Sequence, residues 1–407
     1  MTTRTDISAT TDPQGVDPRR RVTRVGIWGV FGTGNFGNEA TLSALLERLR
    51  SPSWHTTLIC EQPSAAAQDH GVPGVRMGPV ADVSGRRRST RIAGLAGNRL
   101  RTFFGALRVV RFMDSVVLAG TGSFERLGSG AWGVPFEMWS LATACLLFRR
   151  PLVILNVGAE SLPRPSARFF VRQTSRAATY RSYRDESTRD ALTSMGGTGH
   201  GDVVATDLAF GLTVETRSEV AADMVVVGLM NYRGRDDTEH DRVETHYRHR
   251  VTVLIDLLRT DGFDVVVVGG DEVDLDFARS LSLPQDVPIV EARTPQEIVD
   301  VVGRAAVTVA TRYHTLIMSL LAGTPVASIG YGEKHRSMLL QLGLDDTHRD
   351  VESFDPAEVA ALVRDLTERR ATITPHIAEG TATARRLLDE QWADVVRVLT
   401  RRTEGAR

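Results

Sequence analysis

The sequence predicts an α/β protein with two Rossmann-like domains, each built on a parallel sheet. Short runs of β-branched residues alternate with helical patterns along almost the whole chain of 407 residues, which is typical of sheets covered by helices. The runs VVVVGG at 265–270 and VTVAT at 307–311 are continuously hydrophobic, as expected for parallel strands buried on both faces. A polar segment between Gly211 and Asp223 separates two series of strands and predicts the domain boundary.

Eleven hydrophobic runs are predicted strands. The first series is Arg24 to Val30, Thr56 to Cys60, Ser115 to Ala119, Leu152 to Val157, Thr179 to Tyr183 and Val203 to Thr206, and the second is Met224 to Met230, Asp264 to Gly269, Pro288 to Val290, Ala306 to Ala310 and Pro325 to Ile329. We expect a disordered tail at 1–22, an N-terminal Rossmann-like domain at 23–215, a C-terminal one at 216–373, and a helix at 374–407 packing back across the molecule. Ligands bind outside the carboxyl ends of such strands, so the turns after the strands are the expected site.

Composition excludes several classes of protein. Hydrophobic residues make up 42% and charged residues 24%, the balance of an ordinary globular protein. Cys60 and Cys145 are too few for a disulfide framework or a thiolate zinc site and suit a reducing compartment, so we expect a cytoplasmic protein. The net charge of -1 argues against nucleic-acid binding. The N-terminus lacks the pattern of a secretory signal, and the longest apolar run, 138–148, is shorter than the ~20 residues of a membrane span.

Residues 83–113 form a basic amphipathic segment. They include eight arginines and no acidic residue, interleaved with large apolar side chains. Such a segment binds an anionic membrane surface, where a lipid-linked substrate would be found, or it is a solvated helix packed on the sheet. The first alternative predicts a peripheral location at the inner face of the plasma membrane.

A glycine-rich turn follows the first predicted strand. Gly32, Gly34 and Gly37 have the GxGxxG spacing and precede an apolar helix at 40–49. Backbone N–H groups in such a turn face an anion at the helix N-terminus. With Glu61 near the end of the second strand, the pattern also fits a nicotinamide-dependent dehydrogenase, or a tight turn without a ligand.

Cationic residues follow several later strands. Arg312 and His314 begin a helix directly after the strand that ends at Ala310, where a guanidinium and an imidazole can bind a carboxylate or phosphate. Lys334, the only lysine among 49 basic residues, follows the next strand. An arginine-rich chain that keeps one lysine indicates a site needing a compact ammonium group.

Further candidates come from the N-terminal half. Arg184 follows the strand that ends at Tyr183, and Ser187 is a candidate helix cap beside it. The turn around Gly122 suits close approach of backbone to a ligand, and Asp207 is a candidate acid of the same crevice.

Four motifs in order resemble the polysaccharide pyruvyl transferase family. They are GTGNFGNEATLSALLERL at 32–49, YRSYRDEST at 180–188, VVATDLAF at 203–210 and AAVTVATRYHTLIMSLLAGTPVASIGYGEKHRSMLLQLGL at 305–344. The resemblance implies a fold similar to GT-B-like glycosyltransferases and transfer of a pyruvyl group from phosphoenolpyruvate to sugar hydroxyls, forming a ketal. The implied acceptor is a cell-envelope polysaccharide or its lipid-linked precursor. Asn38 stands where the family has Asp, which predicts a changed acceptor.

The resemblance also implies roles for residues. Phosphoenolpyruvate is the donor substrate, no cofactor or metal is expected, and the donor belongs to the C-terminal domain and the acceptor to the N-terminal one. The implied catalytic residues are His314, Arg312 and Arg184; donor-binding residues are Lys334, Tyr331 and Ser187; acceptor or anion-binding residues are Gly32, Gly34, Asn35, Gly37, Asn38, Glu39 and Gly122. A nucleotide-sugar glycosyltransferase, the dehydrogenase and a non-enzymatic glycan-binding subunit stay open as alternatives.

Overall fold

Two parallel sheets form the framework of the protein. The computed structural model describes residues 22–79, 88–120, 130–160, 162–215, 219–234 and 239–401, with the backbone alone at 88–95. The first sheet contains β1 (Thr23–Trp28), β2 (Trp54–Ile59), β3 (Gly74–Val75), β4 (Ser115–Ala119), β5 (Leu152–Val157), β6 (Tyr180–Tyr183) and β7 (Val203–Val204). The second contains β8 (Met224–Leu229), β9 (Asp264–Gly269), β10 (Ile289–Val290), β11 (Val307–Ala310), β12 (Val326–Gly330) and β13 (His348–Asp350). The predicted α/β fold with two parallel sheets is confirmed.

The strand orders place the site. They are β3-β2-β1-β4-β5-β6-β7 in the first sheet and β10-β9-β8-β11-β12-β13 in the second, and every adjacent pair is parallel. In both sheets the chain starts in the middle, runs to one edge and then returns to the other side. Ligands of open sheets bind at this reversal, which lies between β1 and β4 and between β8 and β11.

Helices cover both faces of each sheet. They are α1 (Phe36–Arg48), α2 (Pro63–His70), α3 (Arg88–Val110), α4 (Val134–Leu147), α5 (Pro165–Ala177), α6 (Glu186–Ser194), α7 (His240–Thr260), α8 (Glu272–Arg279), α9 (Pro295–Gly303), α10 (Tyr313–Leu321), α11 (Glu333–Gln341), α12 (Pro356–Glu368) and α13 (Arg370–Thr400), with 3₁₀ turns at Leu208–Gly211 and Asp345–Thr347. Alternate residues of β4 divide between two cores. Val116 and Leu118 face α3, α4 and α5, whereas Val117 and Ala119 belong to the core that includes α1.

All eleven predicted strands are present, and two short strands escaped prediction. β3 and β13 lie at the outer side of their sheets, and their sequences, GV and HRD, contain no run of apolar residues that would predict a strand. α1 begins four residues before its predicted start because the side chain of Asn35 accepts a hydrogen bond from the backbone N–H of Asn38.

The last helix, α13, reaches back to the first sheet. Arg385 donates to the carbonyl of Phe210, and Gln391 donates to Asn156 in β5 over 2.9 Å. Among the described helices, none combines the length and apolar character that crossing a bilayer requires. The expected tail at 1–22 lies almost wholly outside the described residues, as does Gly122.

Candidate active site

A cavity of about 400 Å³ lies between the carboxyl ends of the two sheets. Its walls contain Glu61 and eight of the residues to which the resemblance assigns roles: Asn35, Gly37, Asn38, Arg184, Arg312, His314, Tyr331 and Lys334. Of the eight, the first four belong to the first half of the chain and the last four to the second half. We call this space the cation cavity.

The glycine-rich turn lies at one end of the cation cavity, and only some of its residues line the cavity. Gly32 and Gly34 have φ values of 73° and 74°, which only glycine adopts readily. The N–H of Gly32 donates to Glu39 over 2.8 Å, and the other carboxylate oxygen of Glu39 lies 2.7 Å from Nε2 of His70. Gly32 and Glu39 are therefore bonded within the turn, and Gly32, Gly34 and Glu39 are not among the residues that line the cation cavity.

The two halves meet closely at the N-terminus of α1. The N–H of Phe36 donates to the carbonyl of Gly270 over 3.4 Å. A Cβ atom at Gly37 would lie 1.9 Å from Nδ1 of His314, so no other residue fits unless the imidazole moves. Gly37 thus allows His314 to lie against the start of α1, where the helix dipole favours anions.

Arg312 is held by two aspartates that the sequence analysis did not select. Its Nε and Nη2 donate to both carboxylate oxygens of Asp274 over 2.6 and 2.7 Å, and Nη2 also donates to Asp271 over 2.8 Å. Burial opposes the charge, but the hydrogen bonds and charges of Asp274 and Asp271 outweigh it and raise the pKa of Arg312. Within the described residues its Nη1 makes no hydrogen bond.

Arg184 is almost fully buried and lies beside two other aspartates. Its Nε donates to Asp185 over 3.2 Å, and its Nη1 lies 3.7 Å from Asp207. Burial alone would raise the pKa of Asp185, but the charge of Arg184 and hydrogen bonds from Ser187 and Thr188 lower it. Ser187 therefore supports Asp185 and does not line the cation cavity.

Asp207 joins residues from the two halves. Its Oδ1 caps the 3₁₀ turn at Leu208–Gly211 by accepting from Ala209 over 2.9 Å. The same atom lies 3.9 Å from Nε2 of His314. The buried carboxylate of Asp207 thus lies near Arg184 of the first half and His314 of the second.

Aromatic rings separate the cationic groups. The guanidinium of Arg184 lies 4.6 Å from the ring centroid of Tyr313, and Nζ of Lys334 lies 5.6 Å from the same ring. Lys334 also lies 4.7 Å from the ring of Tyr331. These cation–π contacts position both charges by weak attractive interactions.

His335 connects the two turns that carry the cations of the second half. Its Nε2 lies 3.2 Å from the carbonyl of Thr311, and its Nδ1 lies 3.3 Å from that of Gly332. Burial, followed by the charge of Lys334, lowers the pKa of His335 well below its ordinary value. A neutral His335 is thus a structural link that the sequence analysis passed over, because burial has no local signature.

A second cavity of about 540 Å³ adjoins the first and shares Val30, Glu61 and Val134 with it. We call it the acidic cavity. Burial, followed by the charge of Glu61, raises the pKa of Glu137 to about 7, although a hydrogen bond from Trp28 opposes the shift. The acidic cavity therefore contains a carboxyl group that binds or releases a proton near neutral pH.

Comparison with known proteins agrees with these observations. A family model described as polysaccharide pyruvyl transferase matches residues 35–333, which is more than half of the chain. The amylovoran biosynthesis protein AmsJ of Erwinia amylovora is 31% identical over 90 residues, and this match spans 22% of each of the two chains.

Solved structures show a similar fold at low sequence identity. UDP-GlcNAc 2-epimerase from Neisseria meningitidis has a TM-score of 0.55 at 10% identity, covering 92% of this chain and 100% of its own. The glycosyltransferase SnogD from Streptomyces nogalater has a TM-score of 0.51 at 17% identity, covering 90% and 100%. Identities this low support the fold alone, and the predicted GT-B-like architecture is confirmed.

Proposed function

The chain belongs to the polysaccharide pyruvyl transferase family, and we propose that it transfers the pyruvyl group of phosphoenolpyruvate to two hydroxyls of one sugar. The proposed acceptor is a cell-envelope polysaccharide or its lipid-linked precursor. One observation carries the proposal: Arg184 from one half and Arg312, His314 and Lys334 from the other line a single cavity. The similarity to AmsJ, an amylovoran biosynthesis protein, supports a polysaccharide acceptor.

The cation cavity suits the charges of phosphoenolpyruvate. The donor carries a carboxylate and a phosphate, which need separate positive partners. In our assignment Lys334 and the N-terminus of α1 bind the phosphate, and Arg184 together with the Nη1 edge of Arg312 binds the carboxylate. Charges fixed before the reaction stabilise the negative charge that develops on the departing phosphate.

His314 supplies the proton that starts the proposed reaction. Protonation of C3 leaves C2 electrophilic, and a sugar hydroxyl adds to C2 while its own proton is taken up by a base. The C2–O bond to phosphate then breaks with its electron pair on the phosphate, and a second hydroxyl closes the ketal. One hydroxyl proton restores His314 in place of the proton it gave to C3, and the other leaves with the phosphate, so atoms and charges balance.

The acidic cavity is the proposed acceptor site. Glu61 and Glu137 can accept hydrogen bonds from sugar hydroxyls, and the half-exposed indole of Trp132 offers an apolar surface to a sugar ring. Glu61 borders both cavities, so a hydroxyl bound there lies next to the donor. This assignment places the donor between the two halves of the chain and the acceptor on the first half.

Ligand-dependent thermal unfolding tests the donor. Phosphoenolpyruvate is expected to raise the melting temperature, whereas UDP-glucose and NAD at equal concentration are not, because a ligand at 100 times its Kd stabilises by about 2.7 kcal/mol. Arg184→Gln should abolish the shift, and Arg293→Gln, an exposed arginine of the second half, should keep it. Stabilisation by UDP-glucose alone would favour a nucleotide-sugar glycosyltransferase.

Turnover is tested by incubating the protein with phosphoenolpyruvate and glycans from the cell envelope. Phosphate release should accompany an acid-labile gain of mass on the glycan. His314→Ala should lower kcat by a factor of about 100 to 10,000, the usual contribution of a positioned acid. Full activity in this variant contradicts the assignment, and donor binding without any turnover favours a glycan-binding subunit.

A further inference from the structure

We propose that the outer surface of helices α3, α4 and α5 binds an anionic lipid bilayer. We call this surface, with the residues at the ends of the three helices, the outer helix layer. Of the twelve large apolar side chains that are exposed among the described residues, eight belong to it. They are Leu100, Phe104, Phe112, Trp132, Leu146, Leu147, Phe148 and Phe169. Apolar side chains concentrated in this way mark an interaction surface, whereas scattered ones do not.

The three helices form one continuous surface. Ring contacts run from Phe104 through Phe103 to Trp139 at centroid distances of 5.8 and 5.9 Å. They continue from Trp139 to Phe170 and on to Phe169 at 5.4 and 5.6 Å. Phe104 on α3 and Phe169 on α5 are therefore exposed parts of the same aromatic band across α4.

The charge of this layer is mainly positive, and Glu137 of α4 lines the acidic cavity. Ranges 88–113, 138–159 and 162–184, which contain most of it, include no Asp or Glu. Seven arginines of the layer are exposed: Arg101, Arg108, Arg111, Arg149, Arg164, Arg168 and Arg176. None of the seven forms an ion pair with a carboxylate in the part of the chain that the structure describes.

Several exposed arginines elsewhere on the surface are paired with carboxylates. Arg279 pairs with Glu272 and Asp276, and Arg369 pairs with Asp365. The chain thus has carboxylates that neutralise surface arginines, but the three ranges above contain none. An excess of unpaired positive charge around apolar side chains complements lipid headgroups together with the acyl chains beneath them.

The acidic cavity opens beside this layer. Arg99 and Trp132 line the cavity, and the guanidinium of Arg99 lies 4.0 Å from the centroid of the Trp132 ring. Membrane binding through the layer therefore brings the cavity close to the lipid surface. Delivery of a lipid-linked sugar along this route rests on the proposed function, but binding to the bilayer does not.

Vesicle sedimentation tests the surface directly. The full-length protein is mixed with vesicles of phosphatidylcholine alone or of equimolar phosphatidylcholine and phosphatidylglycerol, at low and high salt. We expect binding to the anionic vesicles only, weakened by salt because the charges are exposed. Protein that remains unbound in every mixture, or that binds both vesicles equally, overturns the proposal.

Paired variants locate the contact. Leu146→Ser with Leu147→Ser should lower the partition coefficient at least tenfold, since two exposed leucines lose their contact with lipid. Arg101→Gln with Arg108→Gln should lower it roughly 25-fold, or about fivefold per arginine. The matched controls Leu340→Ser and Arg386→Gln alter equally exposed groups of the second half and should bind as the parent does. Equal binding by variants and controls overturns the proposal.

Two further measurements distinguish a lipid bilayer from a second copy of the chain as the partner of this surface. Because Cys60 and Cys145 are buried, Leu147→Cys can be labelled with an environment-sensitive fluorophore at the introduced site. Its emission should shift to the blue with anionic vesicles, whereas labelled Leu340→Cys should not shift. Sedimentation velocity without lipid tests for a second copy of the chain as the occupant. If the parent is a dimer and Leu146→Ser with Leu147→Ser is a monomer, the surface is a dimer interface and the proposal is overturned.

Discussion

The two sheets have the same order over their first six strands, yet the charged side chains at equivalent positions are paired in opposite ways. In the second sheet, Asp271 and Asp274 after β9 bind Arg312, which follows β11. In the first sheet, Glu61 after β2 faces Glu137 on the helix that follows β4. In the second sheet the carboxylates pair with a guanidinium, whereas in the first sheet a carboxylate lies near another carboxyl group. The shared fold places these side chains at equivalent positions. Their identities decide whether the carboxyl group is ionised in an ion pair or keeps its proton near neutral pH.

Arg312→Gln should cause the largest loss of stability among the variants that test this comparison. It leaves Asp271 and the buried Asp274 without their cation, and loss of one partner from a buried pair costs about 3–5 kcal/mol of unfolding free energy. Urea denaturation measures the loss, with Arg293→Gln as an exposed control. Equal stability of the two variants would show that the aspartates do not depend on Arg312.

Gly37→Ala tests the contact between the halves. The added methyl group must displace the imidazole of His314, and a misplacement of about 1 Å lowers turnover by about 100-fold. Phosphate release from phosphoenolpyruvate with envelope glycan measures the effect. Gly97→Ala, where a Cβ meets no atom within 4 Å, is the control. If both alanine variants turn over at the parent rate, the close approach at Gly37 has no role in positioning His314.

Glu137→Gln tests the like-charged pair through pH. The pKa of Glu137 rises from 4.5 to about 7 on folding, so the folded state prefers the neutral carboxyl group. The parent protein therefore loses stability relative to Glu137→Gln as the pH rises from below 4.5 through 7, by up to about 3 kcal/mol. Denaturation at pH 4.5 and pH 8 measures the difference, and the exposed Glu379→Gln should show none. A constant difference between parent and Glu137→Gln would contradict the raised pKa.

Arg369→Gln should have the smallest effect. Its partner Asp365 lies four residues away on an exposed helix surface, and such pairs contribute about 0.5 kcal/mol or less. Urea denaturation is again the measurement, and added salt should reduce the effect further. A loss above about 1 kcal/mol would mean that surface pairing, and not only the buried pair of Arg312, holds the second half together.

Local sequence predicted most of the framework. Continuous apolar runs identified β4, β5 and β9 with the bounds that the structure has, because a strand buried on both faces needs apolar residues at every position. Glycine spacing located the turn before α1, since positive φ at Gly32 and Gly34 is a property of single residues. The cations after β6, β11 and β12 were found because all parallel strands of a sheet end at the same edge.

The amino-acid sequence by itself determined eleven of the thirteen described strands, the family and the set of cations, since each depends on periodicity or on a short motif. Tertiary structure alone decided which charges meet: Arg312 bonds to Asp271 and Asp274, far upstream in the chain, and Asp207 approaches both Arg184 and His314. Such contacts depend on strand order and on how the halves pack. No local sequence pattern predicts the strand order or the packing of the halves. The partners of each charged group therefore follow only from the folded chain.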